Sequence, residues 1–168
     1  MTTHVLFEGE PGVIVDDGDV IIEGVELADL VKRAANAARD ADRVELCGGV
    51  GVDDAARVIE VIGGGVEVRV NRYGFESLEQ VAAYKASFEA GEAGGALFLY
   101  GSTVSTPLAR HEGVVVAGVA DREALIERVR EAREHGVGIV ELYGGLGASA
   151  AADVRDAVDG ALPVGFID

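Results

Sequence analysis

VELCGGVG at residues 44–51 returns as VELYGGLG at residues 140–147, and the reading of that pair decides the fold. In both places a short stretch of alternating character runs into a glycine cluster, the pattern of a strand that turns sharply into a helix. The register continues downstream without a gap: Val58 falls on Val154, Ile62 on Val158, Gly64 on Gly160 and Val68 on Val164. Upstream, DVIIEGVELADL resembles GVVVAGVADREAL with Gly24 on Gly118, and LFEG at 6–9 parallels FLYG at 98–101. A GGxG string recurs easily by chance; the flanking pattern does not. The chain is therefore read as a duplication.

Each copy reads as strand, loop, strand, helix, strand, helix, strand. The first has strands at 5–7, 20–24, 43–47 and 66–71, with helices over 27–40 and 53–62. The second has strands at 96–100, 114–119, 138–143 and 163–167. Its first helix starts on Asp121 as N-cap, carries the stripe Leu125, Ile126, Val129 and Ala132, and stops at Gly136; its second opens near Ser149. The first copy spans 1–75 and the second 95–168. Between them, 76–94 holds a connecting helix with a Ser77/Gln80 capping box, a buried face of Leu78, Val81, Ala82 and Phe88, and a flexible tail. The expectation is an α/β protein of two tandem ββαβαβ repeats related by a pseudo-twofold. Its mainly parallel sheet, flanked by helices, is either open and continuous or closed like a barrel.

Composition narrows the function. The formal charge is −16, from 30 acidic against 14 basic residues. Such a surface repels phosphate backbones and anionic lipid, so no nucleic acid and no membrane are expected as partners. No apolar run approaches the ~18 residues of a membrane span, and the opening MTTHVLFEGE lacks the basic-then-apolar order of a signal peptide. The single cysteine, Cys47, excludes an internal disulfide and fits a reducing compartment. These features read as a cytoplasmic protein, monomer or homodimer.

The ELCGGVG/ELYGGLG segments, with the helix before them and the PVGF or VRVNRYG strand after them, resemble an uncharacterised bacterial family. Its members are small α/β proteins with one such unit and an ELCGGFG-like motif, a domain of unknown function. The resemblance covers about 3–74 and 95–168; it implies the fold and the repeat and brings no activity with it. A shorter stretch, ADRVELC at 41–47, is similar to a barrel strand of the copper-homeostasis family of TIM barrels. That likeness implies a βα element and not copper.

Ligands of α/β sheets bind beyond the carboxyl ends of strands, over helix N-termini. Gly48, Gly49 and Gly51, and likewise Gly144, Gly145 and Gly147, occupy that place. They make either a tight turn with close helix packing or a loop whose backbone meets an anion. Glu45 and Glu141 are acids inside strands, costly unless paired or set in a cleft. Each either caps its own loop or pairs with an arginine such as Arg69, or else serves as a general base. The copies differ where Cys47 becomes Tyr143, Arg69 becomes Gly165 and Asn71 becomes Ile167. Arg69, Asn71 and Arg72 form either an exposed edge or an anion-binding row, which would make the first copy the reactive one. Cys47 is a nucleophile by position alone, or a buried thiol. Tyr100 and Tyr143 end strands and line either the core or the site. His111, in the loop before a strand, could reach that site as an acid or base, while His135 at a helix end needs no function. The histidines have no metal-ligand spacing, and no cofactor is expected.

Two functions follow. One is a small-molecule binder or an acid/base isomerase or lyase, with catalytic Glu45, Glu141 and Cys47 and a small, anionic ligand at the glycine loops. The other is a non-catalytic interaction or assembly module, with satisfied glutamates and exposed apolar side chains elsewhere.

Overall fold

In this computed structural model, which describes residues 1–168, the chain divides into two compact units, Met1–Asn71 and Arg72–Asp168. In the first, the strands are β1 (Thr3–Glu8), β2 (Gly12–Asp16), β3 (Val20–Val25), β4 (Arg43–Leu46) and β5 (Glu67–Val70). The helices are α1 (Leu30–Ala37), entered by a 3-10 turn at Leu27–Asp29, and α2 (Val52–Ile62). The sheet order is β2-β3-β1-β4-β5, parallel except for β2.

The second unit has β6 (Arg72–Tyr73), α3 (Leu78–Glu89), β7 (Ala96–Gly101), β8 (Ala109–His111), β9 (Val114–Val119), α4 (Arg122–Glu134), β10 (Ile139–Tyr143), α5 (Ala148–Ala157) and β11 (Val164–Phe166). Its sheet runs β6-β11-β10-β7-β9-β8, with both edge strands, β6 and β8, antiparallel to their neighbours. Each unit thus carries its own open sheet, which removes both the continuous sheet and the barrel closure as descriptions. Each repeat also has one more strand than the sequence pattern shows. β2 and β8 lie in the segments read as loops, where they pair antiparallel with β3 and β9.

The parallel core repeats with the same register. Val5 and Leu6 face Glu45 and Leu46, as Phe98 and Leu99 face Glu141 and Leu142. Phe7 pairs with Gly24 and Tyr100 with Gly118. The alignment of LFEG with FLYG is therefore one residue out: Phe7 corresponds to Tyr100. A one-residue slip exchanges the two faces of a strand, so the correction decides what each side chain touches. Gly24 is required there, and Gly118 is tightly packed. A Cβ at Gly24 would lie 2.1 Å from the Glu10 carbonyl oxygen and 3.1 Å from the Phe7 ring, and one at Gly118 3.0 Å from the Tyr100 ring.

α4 forms as its sequence directs. The Asp121 side chain accepts from Ala124 N at 2.9 Å, Leu125, Val129 and Ala132 are buried, and Gly136 follows the helix at φ 81°. These side chains join Leu97, Leu99, Val115, Ala117, Val140, Leu142, Val154 and Val158 in the core of the second unit.

α3 departs from expectation. It buries no residue, and Leu78 and Phe88 are about half exposed. Ser77 closes a 3-10 turn with αR geometry and makes no capping bond, so the capping box is absent. Gln80 instead donates to Gly160 O at 2.8 Å, and the Tyr84 ring lies over Gly138. The helix is held by a few polar and aromatic contacts, not by a hydrophobic stripe.

Candidate functional site

The two glycine motifs fold differently. After β4, Val50 N donates to Cys47 O at 3.1 Å, and neither Gly48 nor Gly49 has a positive φ. After β10, Leu146 N donates to Tyr143 O, and Gly144 and Gly145 take φ of 61° and 88°, the left-handed region that disfavours any side chain. The second loop therefore needs glycine for its backbone; the first does not.

The second loop also lines a cleft of about 290 Å³. Its walls come from the carboxyl ends of three neighbouring strands: Gly101 and Ser102 at the end of β7, Val119 and Ala120 at the end of β9, and Gly144 to Leu146 after β10. The first turns of α4 and α5 close it with Asp121, Arg122, Leu125, Ala150 and Asp153. Arg122 Nε donates to Asp153 at 2.9 Å, and that hydrogen bond holds the guanidinium pKa above its ordinary value. The helix ends are unequal. Asp121 occupies the N-terminus of α4, whereas α5 starts at Gly147 with no side-chain cap and no acid in its first turn. α2, the counterpart of α5, already has Asp53 and Asp54 in its first turn.

The strand glutamates are buried and bonded. Glu141, 5% exposed, accepts from the hydroxyls of both Tyr73 and Tyr143. Tyr143 is fully buried and meets Phe98 edge-on, with ring centroids 5.4 Å apart. Burial raises the Tyr84 pKa, and the Glu141 charge raises it further. Two charge-assisted phenol bonds are a strong setting for a carboxylate. Tyr73, brought in by β6, is the partner the sequence reading passed over, because a two-residue strand has no periodicity to find.

Glu45 is fully buried and accepts from Arg43 Nη1 at 3.3 Å. Arg43 also donates through Nε to Glu67 at 2.7 Å, and Arg69 donates to the other Glu67 oxygen. Burial opposes the charge on Arg43, but its bonds to Glu67 and Glu45 and their charges outweigh that and raise its pKa; the bonds from Arg43 and then Arg69 lower that of Glu67. Arg69 thus lies on the exposed edge strand β5, tied to Glu67 on the same strand, and Glu45 accepts from Arg43, two residues away on its own strand.

The remaining candidates scatter. Asn71 is buried at the end of β5, and Cys47 is buried at the end of β4. Arg72 pairs with Asp168 and covers the Phe166 ring at 4.9 Å. Tyr100 is buried against Gly118. His111 lies on the exposed β8 and His135 at the exposed end of α4. No group of three or more His, Cys, Asp or Glu is placed to hold a metal ion, and no helix is long and apolar enough to cross a membrane.

Residues 17–86 and 103–168 match a family of unknown function, DUF6506. The chain belongs to DUF6506. The two DUF6506 matches repeat along one chain, in keeping with the duplicated register. The first includes most of α3. A search of curated proteins finds no match. Among solved structures, the chain is similar to an NtrC family transcriptional regulator from Clostridium acetobutylicum at 14% identity, over 99% of this chain and 87% of that one. The TM-score is 0.30, too slight a likeness to carry an argument about the DUF6506 fold or its function.

Proposed function

We propose that the protein binds a small anionic metabolite, and that the site is the second glycine loop, Gly144 to Gly147, at the N-terminus of α5. The observation that carries this reading is the cleft at the carboxyl ends of β7, β9 and β10, lined by Gly144, Gly145 and Leu146. The first turn of α5 offers backbone N–H groups and holds no acid, and of the two carboxylates in the cleft Asp153 is paired with Arg122 and Asp121 caps α4, so the helix end favours a negative ligand group. The first loop is the weaker candidate because Asp53 and Asp54 already occupy its helix N-terminus. An acid/base enzyme remains a second reading, supported by the carboxylate of Glu141 between two phenols; neither glutamate is among the residues of the cleft. The interaction-module reading draws on Phe75, 91% exposed, beside half-exposed Leu78.

Thermal unfolding against a panel of phosphorylated and carboxylated metabolites is the test. A ligand held 100-fold above its Kd adds ~2.7 kcal/mol, a rise of roughly 5–10 °C for a chain of this size. Gly147→Asp is the informative variant. Gly147 has extended geometry, and a Cβ there makes only an ordinary contact, 3.7 Å from Ile167 O. The new carboxylate would cap α5, keep or slightly raise stability, and abolish the rise by filling the anion's place. A rise that survives Gly147→Asp, or a panel with no hit, would remove this reading.

A further inference from the structure

The helix-bearing face of the first sheet carries two polar side chains where the second has none. In the second unit the inner strands present Leu97, Leu99, Val115, Ala117, Val140 and Leu142, all buried in one apolar core. The same register in the first unit presents His4, Leu6, Ile21, Glu23, Val44 and Leu46. His4 stands in the place of Leu97, and Glu23 in the place of Ala117.

Glu23 is 5% exposed, and its two oxygens have different partners. His4 Nε2 lies 3.0 Å from Oε2, and the Arg33 guanidinium of α1 binds Oε1. Beside this cluster is a cavity of about 210 Å³. It is lined by Arg33, Asn36 and Ala37, a stripe at helical spacing on α1, and by Asp40 in the turn that follows, with Thr2 and Ile21 on the strand side.

Replacing a buried ion cluster by apolar side chains is often neutral or stabilising. Here the same chain contains the apolar alternative, packed and buried. Stability alone therefore gives no reason for His4 and Glu23, whereas a binding site does. The lining is mixed. Arg33 and Asn36 offer donors for a carboxylate, Glu23 and Asp40 offer acceptors for an ammonium, and Ile21 and Ala37 are apolar. A plain anion would meet two carboxylates, and a plain cation would meet Arg33. The volume lies below the ~300 Å³ at which drug-sized pockets begin.

We propose that the His4–Glu23–Arg33 cavity is a second binding site, distinct from the glycine-loop cleft, and that its ligand is a small zwitterion, a free α-amino acid. The ammonium group sits between Glu23 and Asp40, and the carboxylate on Arg33 and Asn36.

The test is thermal unfolding of the full chain with each free L-amino acid, its N-acetyl form and its methyl ester. At least one free amino acid raises the midpoint by roughly 5–10 °C at concentrations ~100-fold above its Kd, and the two blocked forms do not. The double variant His4→Leu/Glu23→Ala imports the second unit's residues, so it folds with an unchanged or higher midpoint and loses the response. Arg33→Met, at a half-exposed side chain, loses the response too, and Gly147→Asp keeps it. No response to any free amino acid, an equal response to the blocked forms, or a response that persists in the double variant overturns the proposal. So does a double variant that loses several degrees of stability, because the cluster is then structural.

Discussion

A fully buried carboxylate is stable only through what surrounds it, which makes Arg43 the residue to change in the first unit. Its side chain is 16% exposed and bridges Glu45 and Glu67. Breaking a buried pair by removing one partner costs ~3–5 kcal/mol; at 3.3 Å and with some solvent access, Arg43→Met is expected to cost about 1–3 kcal/mol, read from chemical denaturation. A loss below ~0.5 kcal/mol would mean that Arg43 does little for Glu45. Tyr84 gives the corresponding pH prediction in the second unit. Its pKa is raised, by burial first and by the Glu141 charge second, so the folded state holds the phenol proton more tightly than the unfolded one. The stability this contributes is fully present below pH ~10, the unfolded value, and is lost as pH rises through the folded pKa. Tyr84→Phe is expected to make the alkaline fall in stability shallower, and an unchanged limb would count against the assignment. At this scale the sequence showed that Glu45 and Glu141 sit inside strands and need partners. It did not show which partners, because those come from β6 and from Arg43 on the same strand. The polar pair His4 and Glu23 was in principle legible: they stand opposite Leu97 and Ala117 once the repeats are in the right register. Glu23 falls on Ala117 already with Gly24 on Gly118; the one-residue error in aligning LFEG with FLYG hid only the place of His4 on Leu97.

Long elements with strong periodicity were readable, and short ones were not. α4 announces itself through Asp121, the apolar stripe and Gly136, and the four parallel strands of each repeat through their short apolar runs. β2 and β8 escaped because they are edge strands, mostly exposed, whose pairing is set by β3 and β9 and not by an apolar pattern of their own. α3 misled in the other direction. Its apolar side chains read as a core face, yet Leu78 and Phe88 are about half exposed, and what fixes the helix is Gln80 on Gly160 and Tyr84 over Gly138. With no buried residue to protect it, α3 should open far below the free energy of global unfolding. Amide exchange in 78–89 is therefore expected to be faster than in α4, where Leu125 and Val129 are buried. Equal protection in the two helices would mean that α3 is covered by more than these contacts.

Across the whole molecule, duplication and charge pull in different directions. Each unit builds a parallel core from the same register, but the second fills its helix-bearing face with apolar side chains while the first keeps a buried carboxylate there. A repeat that keeps its strand register while its copies diverge at such points has kept the scaffold and changed what it holds, an asymmetry that separates candidate sites from shared packing more cleanly than the GGxG string. The net charge of −16 acts on both units alike. Excess like charge destabilises a compact chain through self-repulsion, and salt screens it. Raising ionic strength from 0.01 to 0.15 M shortens the Debye length from about 30 to about 8 Å. The exposed ion pairs lose some attraction in the same change, but such pairs contribute only ~0–1 kcal/mol each, and acids outnumber bases by 30 to 14. The repulsive sum should win, so the unfolding midpoint is expected to rise over that range with sodium chloride alone. A falling midpoint would show that the local networks around Glu67, Glu23 and Asp153 outweigh the charge of the molecule as a whole.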